Sequence, residues 1–108
     1  MASSKDFLEF VLEQLSELSD IAFRAMMGEF IIYYRGKIIG GIYDNRLLIK
    51  PTESAIRLLP NAPMEIPYKN GSKMLMIPDI EDQKLLKAVF NAVYADLPVP
   101  KKRRGINI

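Results

Sequence analysis

Three groups of side chains in this 108-residue chain have types and spacing that could do chemistry. Asp79, Glu81 and Asp82 crowd three carboxylates together, the kind of donor set a divalent cation takes. Arg24 and Glu29 bracket Met26-Met27-Gly28 as an opposite-charge pair. Lys37, Arg46 and Lys50 alternate with Tyr34 and Tyr43, and aromatic rings beside cations suit the bases and phosphates of a single strand. Each group also has a plainer reading. The acids open a helical pattern, where carboxylates cap free N–H groups and suit the helix dipole. Arg24 and Glu29 sit at a strand start, where an internal ion pair is expected. We read both groups as structural and expect no metal site.

What is missing narrows the chemistry further. The chain has no cysteine and no histidine. Thiolate catalysis, disulfides, cysteine-bound zinc, imidazole general bases and histidine pH switches are therefore excluded. Gly36, Gly40 and Gly41 form no phosphate loop, because no Gly-Lys-Ser/Thr follows them into a helix. Met26, Met27, Met64, Met74 and Met76 read as core filler. With no nucleophile–base pair in sight, the expected protein is not an enzyme and needs no cofactor.

The net charge of +2 conceals a split. Lys101, Lys102, Arg103 and Arg104 cluster after Pro98 and Pro100, and the remaining eleven positive charges fall two short of the thirteen acids. We expect one domain over residues 1–100 and a mobile basic tail over 101–108. No apolar run approaches a membrane span, and Met1 to Asp6 lack a signal-peptide pattern, so a cytoplasmic location and no membrane partner are expected.

The elements that must position these residues follow from periodicity. Ser3 or Ser4 caps a helix with an apolar stripe of Phe7, Leu8, Val11, Leu12, Leu15 and Leu18. Glu9, Glu13 and Glu17 make a solvated ridge on it. Three strands are expected over 26–34, 37–43 and 46–50, separated by the turn pairs Arg35-Gly36 and Asp44-Asn45. Thr52 caps a short helix over 53–59. An edge strand over 64–68 turns at Asn70-Gly71 into a strand over 73–77. Asp79 caps a last helix over 80–96, with Leu85, Leu86, Val89, Phe90, Val93 and Leu97 as its core stripe. The order α-β-β-β-α-β-β-α predicts a two-layer α+β fold, helices packed on an antiparallel sheet.

Uninterrupted two-residue hairpins would set Tyr34 opposite Lys37, Phe30 opposite Gly41, Tyr43 opposite Arg46 and Gly41 opposite Leu48, and would place Ile31, Tyr33, Ile38, Gly40, Ile42, Leu47 and Ile49 on the covered face. The opposite face would show Phe30, Ile32, Tyr34, Lys37, Ile39, Gly41, Tyr43, Arg46, Leu48 and Lys50. Its mixture of apolar, aromatic and basic groups is that of a contact surface. A single bulge would exchange the faces.

Several stretches carry a family resemblance. They are Arg24-Ala25-Met26-Met27-Gly28-Glu29, Tyr33-Tyr34, and the run from Gly36-Lys37 through Gly40-Gly41-Ile42-Tyr43-Asp44-Asn45 to Lys50-Pro51. Leu59-Pro60-Asn61-Ala62-Pro63, Ile66-Pro67-Tyr68 and Leu97-Pro98-Val99-Pro100 continue it. The sequence resembles the N-terminal domain of TfoX/Sxy competence regulators from about Phe7 to Lys102. The resemblance implies a two-layer fold like that of secretion chaperones, and a link to bacterial regulators that act with the cyclic-AMP receptor protein. It brings no catalytic residues. Such regulators carry a second, C-terminal domain, and this chain is expected to be a stand-alone form without it. The expected function is a non-catalytic regulatory or protein-interaction module. Its partner is a protein, with the transcription machinery or a second copy as candidates. The alternative is a nucleic-acid module using the basic and aromatic sheet face and the tail.

Overall fold

The computed structural model describes residues 3–98. Helix α1 (Lys5–Gln14) precedes a four-stranded meander, β1 (Ile21–Met26), β2 (Glu29–Tyr34), β3 (Lys37–Tyr43) and β4 (Arg46–Ile49). Helix α2 (Glu53–Leu58), strands β5 (Met64–Glu65) and β6 (Met74–Met76), and helix α3 (Gln83–Asp96) complete the fold. The strands form one antiparallel sheet in the order β1-β2-β3-β4-β6-β5. The expected α+β order holds, with one addition. The first strand continues back to Ile21 and folds into a hairpin of its own.

That extra hairpin turns at Met27-Gly28, with φ of 51° and 86°. The next two turns repeat the conformation: Arg35-Gly36 at 51° and 87°, Asp44-Asn45 at 53° and 54°. Two consecutive residues at positive φ define the turn whose twist matches paired strands. Asp, Asn and Gly enter that region at little cost, and Met does not. Arg35 is no better suited, but its charge interrupts an apolar run, whereas Met27 continues one, so the break there is the one turn in the meander that the apolar pattern hides.

Ser4, Thr52 and Asp82 cap the three helices, each side chain accepting from the backbone N–H three residues on. The last helix thus begins at Gln83, three residues later than expected. Asp79 instead accepts from the Glu81 N–H at 3.2 Å, in a turn of its own. One layer of helices covers one face of the sheet. Leu8, Val11 and Leu15 from α1 and Leu86, Val89, Phe90 and Val93 from α3 meet Phe30, Ile32, Tyr34, Ile39, Ile42, Leu47 and Ile49 in the main core.

The core composition corrects the expected faces. Phe30, Ile32, Tyr34, Lys37 and Ile39 point toward the helices, while Ile31, Tyr33 and Ile38 lie on the open side. The cause is one inserted residue. Ile32 pairs with Gly40 and Tyr33 with Ile38, so Ile39 is an extra residue opposite β2. In such a bulge both residues opposing the partner share its face. Ile39 and Gly40 both sit on the helix side with Ile32, and alternation restarts with Gly41 outward and Ile42 inward. Tyr34 opposite Lys37, Gly41 opposite Leu48 and Tyr43 opposite Arg46 are as expected. Phe30 lies opposite Ile42 rather than Gly41.

Candidate protein-interaction face

Gly40 and Gly41 differ in what they admit. A Cβ on Gly40 would collide with the Leu48 carbonyl oxygen and come within 2.9 Å of Ile49 Cα, so the close approach is to β4 backbone. A Cβ on Gly41 would stand 2.6 Å from the Phe30 carbonyl oxygen and 2.8 Å from Cε2 of Tyr43. The space above Gly41 is therefore filled by a ring of the same chain.

Tyr43 in turn packs against Tyr68, with ring centroids 5.9 Å apart. Tyr68 reaches it because the chain leaves the sheet after Glu65 and crosses the open face over residues 66–73. The expected tight hairpin at Asn70-Gly71 is instead a bend within this crossing, Asn70 at φ 69° and the Gly71 N–H bonded to the Tyr68 carbonyl at 2.8 Å. Arg46 holds the crossing at its start. It pairs with Glu65 at 3.0 Å and donates to the Ile66 carbonyl at 3.4 Å. Under this cover Ile31, Tyr43 and Leu48 are buried, apart from the main core. Burial pushes the Tyr43 hydroxyl above its ordinary pKa, with Tyr68 and Glu29 adding to the shift.

Beside Tyr68 a cleft of about 320 Å³ remains. Ile38, Tyr43, Lys50, Pro67, Tyr68 and Lys73 are among its lining residues. From its walls at Ile38 and Met74 the open face continues to Tyr33 and Met76. Ile38 is 38% exposed, and the other three are half-buried.

The ten residues of the expected contact face thus divide. Gly41, Tyr43, Arg46, Leu48 and Lys50 share the open side. Phe30 and Tyr34 belong to the core, and Tyr34 donates to Asn91 Oδ1 of α3 at 2.8 Å. Lys37 is 9% exposed and its ammonium donates to the Tyr94 and Leu97 carbonyls, closing the end of α3. Tyr33, Ile38, Tyr68 and Lys73 were not among the expected site residues. The bulge hid the first two. Pro67 and the Asn70-Gly71 bend were the only local signs that the later segment folds back.

The other expected groups take structural roles. Glu29 accepts from Ser3 Oγ at 2.5 Å and from the Asp44 N–H at 3.2 Å, and Asn45 accepts from the Ser4 N–H at 2.9 Å. These bonds stitch the start of α1 to two hairpin turns. The expected Arg24–Glu29 ion pair does not form; Arg24 is exposed on β1. Among the described residues no cluster of three acids could hold a metal ion. No helix among them is long and apolar enough to cross a membrane. Lys101, Lys102, Arg103 and Arg104 lie outside the described residues.

The arrangement offers a surface, and comparison with known proteins places the chain in a family. A 12.7 kDa uncharacterized protein from the trpE 5′ region of Spirochaeta aurantia is 29% identical over 107 residues, covering 97% of this chain and 92% of that protein. The model of the TfoX N-terminal domain matches residues 13–95, which take in the whole sheet, α2 and all but the last residue of α3. The chain belongs to the TfoX N-terminal domain family.

Proposed function

We propose that this chain is a non-catalytic, cytoplasmic regulatory module that binds a protein partner through the open face of its sheet. One observation carries the reading. The helix layer covers a single face, and the other keeps a half-open apolar surface of Tyr33, Ile38, Met74 and Met76 edged by Arg24, Lys50 and Lys73. A one-sided antiparallel sheet otherwise shows polar groups to water, and an apolar centre with a charged rim is the make-up of a recognition surface. Family membership supports a regulatory role, and the proposed partner class is a component of the transcription apparatus.

Affinity capture from the source-cell lysate, with and without nuclease, tests the reading. Ile38→Glu places a charge at the centre of the face without entering the core. A protein partner should survive nuclease treatment and be lost with Ile38→Glu. Equal capture by the variant, or loss of all partners on nuclease treatment, would overturn it.

A second reading rests on the cleft, where Tyr43 and Tyr68 stand beside Lys50 and Lys73. Stacking rings and cations together suit single-stranded nucleic acid. In that case binding to an oligonucleotide falls steeply with salt. It weakens in Lys50→Glu/Lys73→Glu, and further when residues 101–108 are removed.

A further inference from the structure

The two edges of the sheet are built differently. The β5 edge is two residues long and lies between Pro63 and Pro67. Short length and proline are the ordinary protections against edge-to-edge pairing. The β1 edge has six residues in unbroken register with β2, no proline, no bulge and one charge, Arg24. No described element covers it.

The direction of its free groups is set by the ladder. The Arg35 N–H donates to the Asp20 carbonyl at 3.0 Å, and hydrogen-bonded pairs recur at every second residue. Asp20, Ala22, Arg24 and Met26 are therefore turned toward β2. Ile21, Phe23 and Ala25 present N–H and C=O groups outward. Large apolar side chains gather at this edge. Phe23 is 46% exposed and Met27 is 95% exposed, the latter held at positive φ on the hairpin tip. Beside them on the helix side is a groove of about 500 Å³ between the end of α1 and β1, lined in part by Leu12, Leu15, Leu18 and Ile21.

We propose that β1 is the seam of a symmetric homodimer, two copies pairing antiparallel about Phe23 to continue the sheet. Pairing Phe23 with its twin sets Ile21 opposite Ala25, and every outward group of the three residues gains a partner. Both Phe23 rings then lie on the helix side, next to the grooves. Met27 of each copy comes opposite the partner's Ser19, beside the Leu18 wall of the groove, so the most exposed apolar side chain gains cover. Arg24 lies opposite the partner's Ala22, with the partner's Asp20 and the partner's Arg24 on its two diagonals. No like charges are directly opposed. The chosen occupant is a second copy because this register satisfies the edge, its charge and its groove together with no other chain.

Sedimentation of the full chain across the micromolar range tests the seam, with melting measured at each concentration. The wild type should sediment as a dimer and melt higher as concentration rises. Ala25→Pro removes an outward N–H that β2 does not use, and Phe23→Lys puts a charge on the seam. Both should sediment as folded monomers. Register is tested by chemistry, since the chain has no cysteine of its own. Phe23→Cys should join to its twin with a short bis-maleimide, and Met64→Cys on the opposite edge should not. A monomeric wild type would overturn the proposal, even if β1 captured a foreign strand. So would a dimer that persists in both seam variants, or cross-linking no better at Phe23→Cys than at Met64→Cys.

Discussion

Lys37 caps the end of α3 from the neighbouring layer. Its ammonium lies 4.0 Å from the centroid of the Tyr94 ring and donates to the backbone carbonyl of the same Tyr94 at 2.9 Å. A second bond reaches the Leu97 carbonyl at 2.8 Å. Helix α3 has no basic residue in its own last turn, so its unpaired carbonyls take this charge from β3. Lys37→Met keeps the apolar stem and removes the donors. Hydrogen bonds to a charged group contribute about 1.5–3 kcal/mol, so urea unfolding should show a loss of about 2 kcal/mol. An unchanged midpoint would remove the cap from the account of stability.

The glycine pair should respond unequally to the same methyl group. At Gly40 the nearest three atoms all belong to β4 backbone, which cannot move without breaking the ladder. At Gly41 the nearest atom is also backbone, the Phe30 carbonyl oxygen at 2.6 Å, but the other two belong to the Tyr43 ring, which can turn aside. Overpacking costs about 1–3 kcal/mol where neighbours can adjust. Gly41→Ala should reach the upper end of that range, and Gly40→Ala should cost more or fail to fold. Equilibrium unfolding of the two variants gives the order, and the reverse order would contradict the bulge geometry.

Asp96 gives acid sensitivity to the junction of α2 and α3. Its carboxylate accepts from the Ser54 N–H and from Ser54 Oγ, both at 2.9 Å. The Ser54 backbone bond lowers its pKa, helped by the Thr52 and Ser54 hydroxyls and by Arg57. A carboxyl held lower in the folded chain stabilises it fully above the unfolded pKa, and that contribution is lost as pH falls through the folded value. Asp96→Asn should therefore lower the melting temperature at neutral pH. The gap from wild type should close as pH drops below the ordinary aspartate range of about 4. A gap that stays constant through that range would show that the carboxylate charge is not the cause.

How much was legible in advance depended on the distance over which the cause acts. Arg35-Gly36 and Asp44-Asn45 announced their turns because positive φ favours particular residue types locally, and the helical stripes announced which faces of α1 and α3 are buried. Met27-Gly28 did not announce its turn: a glycine follows there too, but Met27 continues an apolar run where Arg35 interrupts one. The apolar pattern therefore predicts one strand where a hairpin stands, and with it no edge at Phe23.

The sequence by itself determined the fold class and the absence of cysteine and histidine chemistry. Composition and period-two or period-3.6 patterning act within a segment and need no partner to be read. Which side chains reach the open face was decided only in the tertiary structure. Ile39 is an ordinary strand residue until Ile32 is paired with Gly40, and that pairing turns Phe30, Tyr34 and Lys37 toward the helices and leaves Gly41 and Tyr43 outside. A bulge is a property of two strands in register, so no pattern along one of them contains it.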